Sequence, residues 1–325
     1  MDASGGQKGW PGGEALTWLA TGLLVAFGSL WPQPDPALLR ELGRGLLALL
    51  PVVALAALLA GALTLGNVAD RVLAWVEGGP ARAVLLASTA GTLTPVCGLG
   101  VLPLIAALLR RGLPLPPVMA FWLSSPVMGP SMLVVTLGVL GWPFAIAKAL
   151  AAFGTGLLAG AVTAALPGFG GPGHRLMRAD ALSRAGCSAG VTGFWAEARD
   201  STRLVLRWLV LALVLEILLQ RHLPAEWIAG LFGAETALAV PLAAVVGAPL
   251  YLDGYAALPL VRGLIELGMG FGAALALLVS GAAVSLYAAV AVASLVRPRV
   301  FLLYVALAVT GACASGYAAD LLRAG

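Results

Sequence analysis

The sequence predicts an all-α, polytopic membrane protein with two internal repeats, and three observations support this prediction. Of the 325 residues, 60% are hydrophobic and only 10% are charged, which is too few charges for the surface of a soluble domain. The charged residues lie at the ends of apolar runs, each long enough for about one membrane-spanning helix. The chain also matches itself at an offset of 156 positions, with shared Gly, Pro and Ser residues.

The repeat is clearest around one interrupted apolar segment in each half. Residues 91–103 align with residues 247–259, and further along Ser124 aligns with Ser280. Paired segments that Gly and Pro interrupt are the best indication in sequence of a transporter's binding site. We therefore expect broken or re-entrant helices in each half, with the breaks inside the bundle.

The repeat divides the chain into four regions. Residues 1–44 are expected to hold an N-terminal tail and one extra transmembrane helix, without a cleavage site for a signal peptide. Residues 45–166 are expected to form the first repeat, residues 167–200 a polar loop, and residues 201–325 the second repeat.

The basic residues predict the orientation in the inner membrane. In so apolar a chain, the net charge of +4 does not indicate nucleic-acid binding. Basic segments near the ends of membrane spans stay cytoplasmic. Between residues 168 and 207, six arginines stand against three acidic residues, so the loop 167–200 is expected inside.

Two topologies follow from residues 81–109, according to whether this segment crosses the membrane. A crossing makes the two halves parallel and puts Arg297 and Arg299 outside, which the charge rule disfavours. A segment that dips in and returns makes the halves inverted. We favour the inverted arrangement, because the loop and four further arginines then all lie inside: Arg110, Arg111, Arg297 and Arg299.

Asp253 is the strongest candidate for a functional side chain. It lies between uncharged runs, in the position that aligns with Cys97. A carboxylate at the middle of a bilayer costs about 2.5–3.5 kcal/mol, so it usually faces a partner or a water-filled path. We interpret Asp253 as a group that binds substrate or the coupling proton. The alternative is a helix cap near Gly254, and the flanking Tyr251 and Tyr255 either line a cavity or fill it.

Cys97 is the candidate at the first break, between Pro95 and Gly98. Thiols bind soft metals and metalloids. A single buried cysteine is more often a small hydrophobic residue, however, and the chain has no Cys-x-x-Cys motif. The three cysteines predict no disulfide framework, and we expect no cofactor.

Ser124 and Ser125 precede Pro126 in a second interrupted segment, and Ser280 lies in its counterpart. Proline frees a carbonyl one turn earlier, which together with serine hydroxyls is able to coordinate ions or polar solutes. Close packing of helices through small residues explains the same pattern.

Glu216 and Lys148 are the other charges within apolar segments. Glu216 lies near the middle of a span, and either residue pairs with Asp253 or lies at an interface with water. A lysine near a helix end often extends its ammonium to the membrane interface, so Lys148 ranks below Asp253 as a candidate.

Four short runs resemble the first repeat of the ArsP-like predicted permeases of bacteria: residues 95–97 (Pro-Val-Cys), 101–104 (Val-Leu-Pro-Leu), 111–115 (Arg-Gly-Leu-Pro-Leu) and 125–126 (Ser-Pro). Residues 247–253 (Gly-Ala-Pro-Leu-Tyr-Leu-Asp) resemble the second repeat of that family. The resemblance covers roughly residues 45–320. It implies an inner-membrane efflux permease, whose characterised relatives export trivalent organoarsenicals or related metalloids with thiols at the two breaks.

This chain departs from the family at the thiols. Where the family commonly has Cys-x-Cys, residues 97–99 are Cys-Gly-Leu, and Asp253 stands where the second break commonly has cysteine. A harder or protonatable site therefore fits better than thiol capture. We predict a permease that exports a small inorganic or organometalloid solute between the two breaks. The alternatives are a non-transporting membrane subunit and an intramembrane enzyme, which His174 and His222 disfavour because both lie in or beside polar segments.

Overall fold

The computed structural model describes residues 78–94, 101–110, 112–169, 238–250, 257–284 and 295–324, with a few further residues between these ranges. The described part is helical and contains no β-strand, in agreement with the predicted all-α class. Its helices are, in the first half, α1 (Pro80–Leu93), α2 (Val101–Arg110), α3 (Leu115–Ser124), α4 (Pro130–Leu140) and α5 (Trp142–Ala165). The second half has α6 (Ala239–Leu250), α7 (Ala257–Glu266), α8 (Phe271–Ala283) and α9 (Pro298–Ala324).

Two of these helices, α5 and α9, are long and apolar enough to cross a membrane over Trp142–Ala165 and Pro298–Arg323. The predicted extra helix in residues 1–44 and nearly all of the loop 167–200 lie outside the described residues.

Glycine ends α2 and α7 in the same way. Gly112 and Gly268 have φ of 84° and 102°, which glycine adopts without the steric cost of a side chain. After α2, the amide of Gly112 donates to Leu109 O at 3.0 Å and the amide of Leu113 donates to Leu108 O at 3.2 Å. This pair of bonds is the Schellman motif, which satisfies the last carbonyls of the helix. The chain reverses at once, so α3 begins only a few residues after α2.

The first half contains two parallel helices and one antiparallel helix in contact. Two glycines of α5 each contact both α1 and α3. Gly160 faces Val84 of α1 and Ala120 of α3, and Gly156 faces Ser88 of α1 and Ser124 of α3. Later residues of α1 and α3 therefore meet earlier residues of α5. It follows that α1 and α3 run parallel to each other and that α5 runs against both. The chain has to return between α1 and α3, and the ten residues of α2 span about 15 Å of that return.

The second half has the same arrangement. Gly316 of α9 faces Val240 of α6 and Ala276 of α8, while Gly247 faces Ser280 nearer the ends of α6 and α8. Thus α6 and α8 are parallel to each other, and both are antiparallel to α9.

The helices α5 and α9 are antiparallel to each other. Phe144, near the start of α5, packs edge-on against Phe271 with ring centroids 4.9 Å apart. Arg323, near the end of α9, lies over the same ring at 4.1 Å from its centroid. The start of α5 and the end of α9 are therefore at one end of the bundle. The two helices are in close contact at Thr155 and Gly311, where an added Cβ on the glycine would lie 2.5 Å from Thr155 Cγ2.

Parallel helices approach to backbone contact at Gly91 and Gly247. A Cβ on Gly91 would overlap Ser124 Oγ and lie 2.8 Å from Phe121 O. A Cβ on Gly247 would overlap Ser280 Oγ and lie 2.6 Å from Leu277 O. Such contacts are typical of helices that pack in lipid through small residues.

We predict that Gly91→Ala and Gly247→Ala each lower the free energy of unfolding by about 1–3 kcal/mol, because the added methyl group overpacks a backbone contact. The measurement is reversible unfolding of the purified protein in mixed micelles. Gly138→Ala is the matched control, since nothing lies within 4 Å of the Cβ position at Gly138 on α4. Equal stability of all three variants would contradict the close approach.

Candidate functional site

The helices α1 and α3 end at nearly the same level, because Gly91 lies against Ser124. The last residue of α1 is Leu93, and Thr94 is already extended, with φ −83° and ψ 123°. Since Ser124 is also the last residue of α3, the two helix ends lie side by side.

The segment between α3 and α4 is irregular and buried. Ser125 is 2% exposed, and Val127 and Met128 are as fully buried. The amide of Ser125 still bonds to Phe121 O, at 3.1 Å, but Pro126 has no amide to continue the ladder. The interruption that the sequence predicts after Ser124 is therefore present. In lipid, such backbone is tolerated only inside protein or beside a wet cavity.

The corresponding end of α8 lies in the second half. This helix ends at Ala283, and Val284 is extended, with φ −131° and ψ 110°. Ser280 is fully buried one turn earlier, and its hydroxyl donates to Leu277 O at 3.2 Å.

Tyr304 of α9 brings these two helix ends together. Its ring stacks on Trp122 of α3, with centroids 4.9 Å apart and planes 29° apart. Its hydroxyl donates to Ala283 O at the end of α8. Both aromatic side chains are buried. We call the region around Trp122, Ser124, Ser125, Ala283 and Tyr304 the central junction, because it joins the interrupted helices of both halves.

The electrostatics of the central junction favour positive charge and hydrogen-bond donors. The carboxyl ends of α1 and α3 meet there, and Tyr304 connects them to the carboxyl end of α8. Helix carboxyl ends carry partial negative charge and carbonyls without intrahelical partners. This level is therefore complementary to hydrogen-bond donors.

Three buried hydroxyls in the described part of the chain have no hydrogen-bond partner: those of Ser88, Ser125 and Thr155. An unsatisfied buried hydroxyl costs about 1–3 kcal/mol, and such groups usually contact water or a ligand. All three belong to the first half. Ser88 faces Gly156, the neighbour of Thr155, and Ser125 follows the helix end at the same level.

Of the side chains that the sequence singled out, the structure brings Ser124 and Ser125 to the central junction and places Ser280 one turn from it. The other candidates lie outside the described residues and stay predictions: Pro95, Cys97, Gly98, Glu216, Tyr251, Asp253, Gly254 and Tyr255. In the sequence, Asp253 belongs to the short segment between α6, which ends at Leu250, and α7, which begins at Ala257. Within the described ranges, no three His, Cys, Asp or Glu side chains group as metal ligands.

Sequence reasoning missed Tyr304 and Trp122, and one of its two alternatives for Lys148, a position at the interface with water, is wrong. That lysine is 1% exposed on α5, so its ammonium does not extend to the protein surface. One signal was available, because Lys148 aligns with Tyr304 at the offset of 156. The last helix of each half therefore carries one large polar side chain at the same, buried position.

Comparisons with known proteins agree with this architecture. Residues 42–321 match the ArsP-type family described as predicted permease. A UPF0718 protein of Methanocaldococcus jannaschii is 27% identical over 120 residues, which cover 37% of this chain and 33% of the relative. The match thus spans about a third of the relative's length. No solved structure matches the chain.

The family match covers far more than half of the chain, and the description of that family as permeases agrees with two described helices that are long and apolar enough to cross a membrane. These observations indicate a membrane transporter rather than an enzyme. The chain belongs to the ArsP-type family of predicted permeases.

Proposed function

We propose that this protein is an inner-membrane permease that exports a small inorganic or organometalloid solute through the central junction, between two inverted repeats. The observation that carries the proposal is the contact of Tyr304 with both Trp122 and Ala283. This contact joins the buried ends of interrupted helices from the two halves, which is the usual place of a binding site in repeat transporters.

Equivalent contacts at the offset of 156 support the repeat. The contact of Gly91 with Ser124 and Phe121 O corresponds to that of Gly247 with Ser280 and Leu277 O. The positive-φ turn glycines correspond in the same way. Unrelated halves have no reason to share such pairs at one fixed offset.

The antiparallel course of α5 and α9 supports inversion over a parallel arrangement. These two helices begin at equivalent positions, Trp142 and Pro298, so parallel repeats require them to run in the same direction. The hairpin of α1 and α2, which enters and returns before α3, agrees with the topology in which residues 81–109 do not cross.

The charges support a cytoplasmic location for the basic end of the bundle. Because α9 runs against α5, the exposed Arg297 and Arg299 at the start of α9 lie at the end where α5 leads into the loop 167–200. Arg110, the last residue of α2, shortly precedes α3 at this same end. The opposite end carries balanced charges: Arg262, Glu266, Asp320 and Arg323. Positive segments stay inside.

The orientation predicts where Cys187 reacts. In a variant with Cys97→Ser and Cys313→Ser, Cys187 is the only thiol and lies in the loop 167–200. We expect no labelling by a membrane-impermeant maleimide in intact cells, and full labelling after the membrane is broken. Labelling of intact cells would place the loop outside and reverse the proposed topology.

The central junction predicts the effect of Tyr304→Phe. This change keeps the stacking on Trp122 but leaves a buried carbonyl without its donor, which lowers the free energy of unfolding by about 1–3 kcal/mol. Transport falls with it, because the carboxyl end of α8 loses its link to α3. Thr310→Val on the exposed face of α9 removes a hydroxyl that bonds only within the helix, and serves as the control. Tyr304→Phe protein that matches wild type in both measurements would contradict the assigned role.

Export and its coupling are tested with everted membrane vesicles. Uptake is measured for a panel of trivalent metalloids, divalent metals and small anions, with and without a proton gradient. We expect gradient-dependent uptake of at least one solute, and its loss in Asp253→Asn protein that inserts normally, because the amide does not release a proton. Full uptake by this variant would remove Asp253 as proton carrier. Wild-type vesicles that accumulate none of the solutes would favour a non-transporting subunit.

A further inference from the structure

Two short helices from different halves flank the outer end of the bundle, which is opposite the loop 167–200 in the proposed orientation. The helix α4 follows the interruption after Ser124 and ends just before α5, and α7 follows the segment that contains Asp253 and ends just before α8. They have 11 and 10 residues, so each spans about 15–17 Å, half of the hydrocarbon core of a bilayer. Both therefore run from the middle depth of the bundle to its outer end. In the proposed permease, the gap between them leads from the central junction to the outside.

Arg262 of α7 joins these two helices near the outer end. Its Nη1 donates to Val139 O at 3.2 Å, and its Nε donates to Glu266 Oε1, on the next turn of α7, at 3.0 Å. Val139 is one of the last four residues of α4, whose carbonyls have no partner within the helix and carry partial negative charge. A guanidinium is able to satisfy such a carbonyl. Because Val139 belongs to the first half and Arg262 to the second, the hydrogen bond holds the two halves together at this end.

The two ends of the bundle differ at this bond. At the offset of 156, Arg262 aligns with Ala106 of α2, and Val139 aligns with Leu295. Ala106 is buried and its side chain has no hydrogen-bond donor. In the inverted arrangement α2 runs toward the inner end as α7 runs toward the outer one, so the equivalent position at the inner end lacks the guanidinium. This bond therefore stabilises contact between the halves at the outer end alone.

We propose that Arg262 is a latch that holds the outer side of the solute path closed, so that the permease at rest opens toward the cytoplasm. The inference rests on the proposed function and adds the state from which export begins, since an exporter binds its solute from the inside. Arg262 is 59% exposed, so its bonds contribute little to the stability of the fold. The alternative conformations of a transporter lie close in free energy, however, and a bond made in one of them alone shifts their ratio severalfold.

The experiment measures from which side of the membrane a thiol at the central junction is labelled. The parent is the full chain with Ser125→Cys as reporter, in a background of Cys97→Ser, Cys187→Ser and Cys313→Ser. Ser125 is 2% exposed, so a thiol there reacts only when the path opens. A membrane-impermeant maleimide is applied to intact cells for the outer side and to everted vesicles for the inner side. The labelling requires no transported solute, so its result is independent of the uptake measurement.

We expect the parent to be labelled mainly from the inside. Arg262→Met removes the donors but keeps a long side chain, and we expect it to raise the rate of labelling from the outside about three- to tenfold and to lower the rate from the inside. Two controls remove a charge at the same end but keep the bond to Val139. Glu266→Gln removes the ion pair within α7, and Arg323→Met removes a guanidinium that lies over Phe271. Both controls are expected to match the parent from each side.

Unchanged labelling of Arg262→Met would overturn the latch, and so would an equal increase in either control, which would indicate general loosening of the outer end. Faster labelling from the outside without slower labelling from the inside would also overturn it, because the bond then restrains local motion only. A parent labelled mainly from the outside, or from neither side, would contradict the proposed resting state. Unfolding temperatures verify that each variant is folded. Vesicles that take up no solute but show the expected labelling would contradict export and leave the latch in place.

Discussion

Backbone contact between parallel helices is the constraint on which the rest of this structure depends. At Gly91 and Gly247 the neighbouring helix lies where any side chain would have its Cβ. In lipid, apolar surface alone does not drive helices together, so close packing of this kind determines which helices associate and at what level. Because each glycine faces a serine near the end of the next helix, the contact also fixes where the paired helices end. The central junction is a consequence of this register.

The interruption after Ser124 becomes tolerable because of the same packing. A chain that leaves its helix inside a bilayer exposes backbone groups that lipid cannot satisfy. Here the residues after Ser124 are covered by protein. At the end of α8, the carbonyl of Ala283 accepts a hydrogen bond from the hydroxyl of Tyr304. The polar groups that remain are therefore concentrated at one depth, among helix ends with partial negative charge. In the proposed permease, that concentration is the reason to assign the binding site to this depth.

The sequence predicted the features that depend on local backbone chemistry. Pro126 marked the interruption after Ser124, because proline has no amide to continue a helix and restricts the residue before it wherever it occurs. It did not predict the stacking of Tyr304 on Trp122 or the burial of Lys148, since both depend on which helices become neighbours. A lysine near a helix end looks the same in sequence whether lipid or another helix lies beside it.

The distribution of hydroxyls separates the roles of the two halves. Among the described residues, the buried hydroxyls without a partner belong to Ser88, Ser125 and Thr155 of the first half. These align with Ala244, Gly281 and Gly311 of the second half, which have no hydroxyl. The acid of the second half, Asp253, aligns in turn with Cys97. In the proposed permease the two halves therefore contribute different polar groups, hydroxyls from the first half and the predicted acid from the second, so the halves are not interchangeable.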